Sequence, residues 1–91
     1  MKSNIDRTSK EIRNDLSKIQ GVENIEIYYL VNNYGATFTK NGVKFDLRRW
    51  ANCYGADLGW GVDIHDHKGI GCASYDRCIK FINEWTEVEG Q

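Results

Sequence analysis

Asp63, His65, Asp66 and His67 lie within five residues of one another, and with Cys53, Cys72 and Cys78 they supply the residue types that hold zinc. The strand pattern around them argues against a shared ion. Val62 and Ile64 must face a core together with Ile70 and Cys72, so Asp63 and His65 project to the other side, and His67 falls in a tight turn before Gly69. Cys78 sits in the apolar stripe of a C-terminal helix. Gathering His65, Cys72 and Cys78 on one point would break the alternation, so no metal and no other cofactor is expected. The expected arrangement is a polar hairpin tip with two exposed imidazoles, and three reduced thiols packed as small hydrophobes.

The order strand, histidine-bearing loop, helix resembles the topology of the HNH-type ββα-metal nucleases, in which a histidine activates water and a helix residue holds the metal. Here the loop is short and lacks asparagine, and the following helix offers no histidine. The resemblance stops at topology, which makes a metal-dependent nuclease the remotest reading. No Ser-His-Asp ordering, phosphate-cradling loop or dinucleotide-binding glycine fingerprint is present. Gly59, Gly61, Gly69 and Gly71 flank strands and do not open a helix. No catalytic residue is assigned, and the chain is not expected to be an enzyme.

Charge is more informative. Residues 1–50 carry nine Lys/Arg against six Asp/Glu, and residues 51–91 carry three against seven, giving halves of +3 and −4. Lys40, Lys44, Arg48 and Arg49 gather around one hairpin with only Asp46 to offset them, and Tyr28, Tyr34, Thr37 and Thr39 are placed to lie beside them. Such a basic, hydroxyl-bearing and aromatic surface grips an acidic protein patch or a phosphate backbone. Otherwise it merely solubilises a hairpin edge. The expected contact residues are Lys40, Lys44, Arg48 and Arg49 at this hairpin and His65, Asp66, His67 and Lys68 at the other. Tyr34 and Trp60 are the candidate aromatic anchors, or else half-buried wedges where strands begin.

These side chains need elements to position them. Ile5, Ile12, Leu16 and Ile19 recur at helical spacing, with Ser3 or Asn4 to cap the start and Gly21 to end the helix. Ile25 to Val31 alternates as a strand, with Ile25, Ile27, Tyr29 and Val31 on one side. Asn32-Asn33-Tyr34-Gly35 reads as a turn. Asn41-Gly42 is a two-residue hairpin signal that pairs Lys40 with Val43 and Phe38 with Phe45, which puts Ala36, Phe38, Val43 and Phe45 on one face. Asp46 then predicts a short helix with Leu47, Trp50, Ala51 and Tyr54 inward, ended by Gly55. Trp60-Gly61-Val62-Asp63-Ile64 echoes Tyr34-Gly35-Ala36-Thr37-Phe38, and Gly69 echoes the turn glycine Gly42, which suggests an internal ββα pseudo-repeat. Cys78, Phe81, Ile82, Trp85 and Val88 form the stripe of a last helix from Tyr75 to about Val88. Glu84, Glu87 and Glu89 oppose its dipole.

The predicted order is α-β-β-β-α-β-β-α: an α+β domain with an antiparallel sheet of about five strands and helices on one face. The 91 residues suit one domain, 1–91, made of an N-terminal helix (1–21), a first half (22–55) and a second half (56–91). A net charge of −1 excludes a bulk polycation, and 41% apolar residues exclude a disordered chain. No stretch is apolar enough to span a bilayer and the first residues are charged, so a cytoplasmic location with no membrane partner is expected. The expected function is non-catalytic binding to a host protein or protein complex. Small phage and mobile-element inhibitors, anti-CRISPR proteins among them, share this size and plain composition. The alternative is a nucleic-acid-binding module that uses the basic hairpin.

Overall fold

The computed structural model describes residues 8–29, 33–51 and 57–86. The elements are α1 (Ser9–Ser17), β1 (Val22–Tyr29), β2 (Asn33–Lys40), β3 (Val43–Ala51), β4 (Asp57–Ile64), β5 (His67–Ala73) and α2 (Tyr75–Glu84). The strands form one antiparallel sheet in the order β1-β2-β3-β4-β5, each pairing with its neighbour in sequence. The α+β class and the five-stranded antiparallel sheet agree with the sequence reading.

Both helices lie on one face. Ile12 and Leu16 of α1 share a single buried cluster with Tyr75, Cys78 and Ile82 of α2 and with Ala36, Phe38, Phe45, Leu47, Val62 and Ile64 of the sheet. The Tyr75 hydroxyl, 2.7 Å from an Asp15 carboxylate oxygen, ties one helix to the other. Local chemistry starts each helix. Thr8 accepts from the Glu11 amide at 3.1 Å while Glu11 reaches back to the Thr8 amide, a reciprocal capping box. Ser74 caps α2 by accepting from the Arg77 amide. The α1 cap is therefore Thr8; the candidate caps Ser3 and Asn4, with Ile5, lie outside the described residues. Gly21 takes the expected left-handed conformation, with φ 88°.

The first hairpin has the predicted register, Lys40 opposite Val43 and Phe38 opposite Phe45, turned by Asn41 and Gly42 at φ 52° and 85°. Four local expectations are corrected. First, residues 46–51 are strand and not helix. Leu47 is fully buried between Ala36 and Val62 of the flanking strands, and its neighbours Asp46 and Arg48 both point to the opposite face. As the middle strand, β3 pairs its backbone on both sides, which outweighs the cost-laden nucleation of a one-turn helix. Tyr54 and Gly55, the end of that predicted helix, lie outside the described residues. Second, Asn33, Tyr34 and Gly35 already belong to β2.

Third, the second hairpin turns at His65-Asp66, with Asp66 at φ 60° and Ile64 opposite His67, so His67 and Gly69 are strand residues. The structure also accounts for the sequence echo. Tyr34–Phe38 and Trp60–Ile64 occupy matching rungs on either side of β3, both paired to Phe45–Arg49, and the same environment selects the same residue types. Among the described residues, a helix follows the second hairpin and none follows the first. Fourth, α2 stops at Glu84. Trp85 turns to φ −67°, ψ 133° and lays its ring edge-on to Phe45 and His67. Val88, predicted to close the stripe, lies outside the described residues.

The thiols divide. Cys78 is fully buried, and that burial pushes its pKa up to about 11. Cys72 is exposed at φ 53° in β5, where the register shifts against β4 mark bulges, and so leaves the core expected for it. Cys53 lies outside the described residues. At neutral pH, brief alkylation of the native protein should modify Cys72 and spare Cys78 until denaturant is added; peptide mass spectrometry reads both sites.

Candidate functional site

The helices pack on one face of the sheet, and among the described residues nothing covers the other. Residues facing the helices alternate with those facing outward, so successive outer rungs read Tyr28–Gly35–Arg48–Gly61 and Glu26–Thr37–Asp46–Asp63 across the first four strands. Thr39 and Lys44 form the next rung, beside which the His65 amide donates to the Lys44 carbonyl at 3.0 Å.

Glycine makes the first of these rungs possible. A Cβ on Gly35 would stand 2.0 Å from the Leu47 carbonyl oxygen. With no side chain on Gly35, the Arg48 guanidinium reaches across β2 to β1, where its Nε donates to the Tyr28 hydroxyl at 2.9 Å and its carbon lies 6.0 Å from the ring centre. The same guanidinium pairs with Asp46, whose other oxygen accepts from the Tyr28 hydroxyl at 2.7 Å. Three half-buried side chains on two non-adjacent strands thus close a hydrogen-bonded ring over the middle of the face.

Burial and then the Asp46 carboxylate raise the Tyr28 pKa to about 12, with Arg48 partly opposing. For Arg48, burial opposes the charge, but hydrogen bonds with Asp46 and Tyr28 outweigh it and hold the group above its ordinary range. The folded state therefore keeps the Tyr28 proton where the unfolded chain loses it. This contribution to stability is complete below pH 10 and fades as pH climbs through about 12. Absorbance titration of phenolate should show Tyr28 ionising late, so Tyr28→Phe should lower the late-ionising amplitude by one tyrosine and flatten the fall in stability over this window.

Next to the ring is a groove of about 640 Å³, lined by Thr37, Thr39, Lys44, Asp46, Asp63 and His65 among others. His65 and Asp66 contact each other at 3.3 Å on the exposed turn. Among the described residues, no group of three His, Cys, Asp or Glu side chains could hold a metal ion.

The predicted contact residues scatter. Lys44, His65, Asp66 and Lys68 are exposed, and Arg48 belongs to the ring. Arg49 is the register partner of Tyr34 and Trp60 on the helix side, with its guanidinium 5.7 Å from the Tyr34 ring centre. Trp60 is fully buried, Tyr34 is half-buried, and His67 packs against Trp85. Lys40 is 4% exposed: its Nζ donates to the carbonyls of Ile82, Asn83 and Trp85 at 2.6, 3.0 and 2.7 Å. It is therefore the C-terminal cap of α2, and its removal from water lowers its pKa. The four cations expected in one basic patch thus divide, Lys44 and Arg48 to the bare face and Lys40 and Arg49 to the covered one.

Sequence reasoning missed the ring. Its signal was the Asp46-x-Arg48 spacing in a strand, but that segment reads as a helix start. No protein-family model, curated protein or solved structure matches the chain.

Proposed function

We propose that this chain is a non-catalytic binding protein whose bare sheet face docks on a partner protein, with inhibition of a host complex as the form that its small size favours. One observation carries this reading: among the described residues no helix covers this face of the sheet, and Tyr28, Asp46 and Arg48 at its middle are already held in place by their hydrogen-bonded ring. Preorganised polar groups lose little entropy on binding. The face is small. Strands about 4.8 Å apart and about 26 Å long give roughly 500 Å², below the ~800 Å² per partner of a standard interface, so the His65-Asp66 turn must add to it.

Charge favours a protein over a nucleic acid. Glu26, Asp46 and Asp63 outnumber Lys44 and Arg48 on the outer rungs, and a polyanion would meet net repulsion there. Three immobilised baits test the reading in a lysate of the source cells. Wild-type protein and Lys80→Glu, an exposed change on α2, should capture the same partner, and Thr37→Arg should lose it. Undiminished capture by Thr37→Arg, or metal-dependent phosphodiester cleavage by the purified chain, would overturn it.

A further inference from the structure

The covered face holds a second set of groups, which stands independently of the bare-face reading. Tyr29, Tyr34, Arg49 and Trp60 form one rung across β1 to β4 on the helix side. Tyr29 stacks on Tyr34 at 5.7 Å, Tyr34 meets Trp60 edge-on at 5.7 Å, and Trp60 meets Tyr75 of α2 at 5.0 Å. Within this aromatic row the Trp60 indole N–H and the Arg49 Nε–H are both closed to solvent and have no hydrogen-bond acceptor among the described residues. Buried donors are almost always satisfied, because each one left unmade costs the desolvation of the group. Two such donors on directly paired residues, one of them cationic, imply an acceptor that belongs between them.

We propose that this rung is a binding site for a single carboxylate, presented by an acidic side chain of a protein partner. A guanidinium edge and an indole N–H can serve the two oxygens of a carboxylate, and the guanidinium supplies the opposite charge. Tyr29, 67% exposed, offers an apolar platform beside the site for the stem of the same residue. Arg49 makes no ion pair among the described residues that would compete. Since both donors are closed off, a neighbouring group must move to admit the ligand, and the Tyr34 ring lies against both the Arg49 guanidinium and the Trp60 indole.

The test uses the full chain labelled with nitrogen-15 and two capped dipeptides, N-acetyl-Asp-Leu-amide and its Asn-Leu counterpart. The Trp60 indole resonance is assigned by its loss in Trp60→Phe. The aspartyl peptide should shift that resonance saturably, the asparaginyl peptide should not, and Arg49→Gln should weaken the response about tenfold or more with Arg49→Lys intermediate. Both Arg49 variants must keep the dispersed spectrum of a folded chain; if Gln does not, the comparison rests on Lys. Four outcomes would overturn the site: no shift at millimolar peptide, equal shifts with both peptides, an indole cross-peak to a long-lived water that no ligand displaces, or a response to single-stranded RNA and not to the aspartyl peptide.

Discussion

Lys40→Met should destabilise the protein by about 3 kcal/mol, measured by urea unfolding at pH 7. Methionine has nearly the length of the lysine stem, so packing along the stem is largely kept. What is lost is the ammonium that three carbonyls at the end of α2 share. The helix has no basic residue in its own last turn, and Glu84 there adds charge of the wrong sign for the dipole. Among the described residues, the cation that offsets both comes from β2, more than forty residues earlier in the chain. Buried carbonyls stripped of a charged donor cost about 1–3 kcal/mol each before relaxation, and fraying of the last turn relieves part of that. Lys44→Met, four residues on but exposed, should change stability by no more than about 0.5 kcal/mol. A Lys40→Met loss as small as this control would show that the cap is not a source of stability.

Gly35→Ala should cost a similar amount, about 3 kcal/mol. The added methyl would sit 2.0 Å from the Leu47 carbonyl oxygen and 2.9 Å from the Arg48 Cα, both backbone atoms of the neighbouring strand. No rotamer change relieves a clash with backbone, so β2 and β3 must part in the middle of the sheet. The same methyl intrudes where Arg48 crosses to Tyr28, so the late phenolate ionisation should shift toward the ordinary tyrosine value. Gly71→Ala is the control, because a Cβ there meets nothing within 4 Å. If the two alanine variants unfold at the same urea concentration, the close approach of β2 to β3 is wrong.

Much of this architecture can be read from local chemistry. Asn41-Gly42 sets the first hairpin and, through the two-residue period, the face of every residue from Ala36 to Phe45. Within α2 the stripe of Cys78, Phe81 and Ile82 needs nothing beyond its own spacing, though the helix ends before Trp85. Reading failed where a pattern satisfied two templates. Leu47, Trp50, Ala51 and Tyr54 fit a helical face, whereas Leu47 alternates with Asp46 and Arg48 as in a strand, and pairing with β2 and β4 decided between them. That misreading also concealed the candidate site. In a helix Asp46 is a cap and Arg48 and Arg49 share an exposed surface; in a strand they face opposite ways and Asp46 meets Arg48. Lys40 was illegible for another reason. Lysine is seldom buried, and only the distant end of α2 makes burial favourable here. Likewise, the bulges of β5 that expose Cys72 depend on pairing with β4, which a list of alternating residues does not contain.

In the proposed function, contact with a partner is made by the face that the described helices leave bare. Hydrogen–deuterium exchange cannot resolve side-chain faces of one strand, so the direct measurement is carbene footprinting of the captured complex, read residue by residue. Docking on that face predicts lower labelling at Thr37, Lys44, Asp63 and His65, with the exposed α2 residues Lys80 and Asn83 labelled as in the free chain. Protection confined to the outer surfaces of α1 and α2, with these four sheet residues still labelled in full, would contradict it.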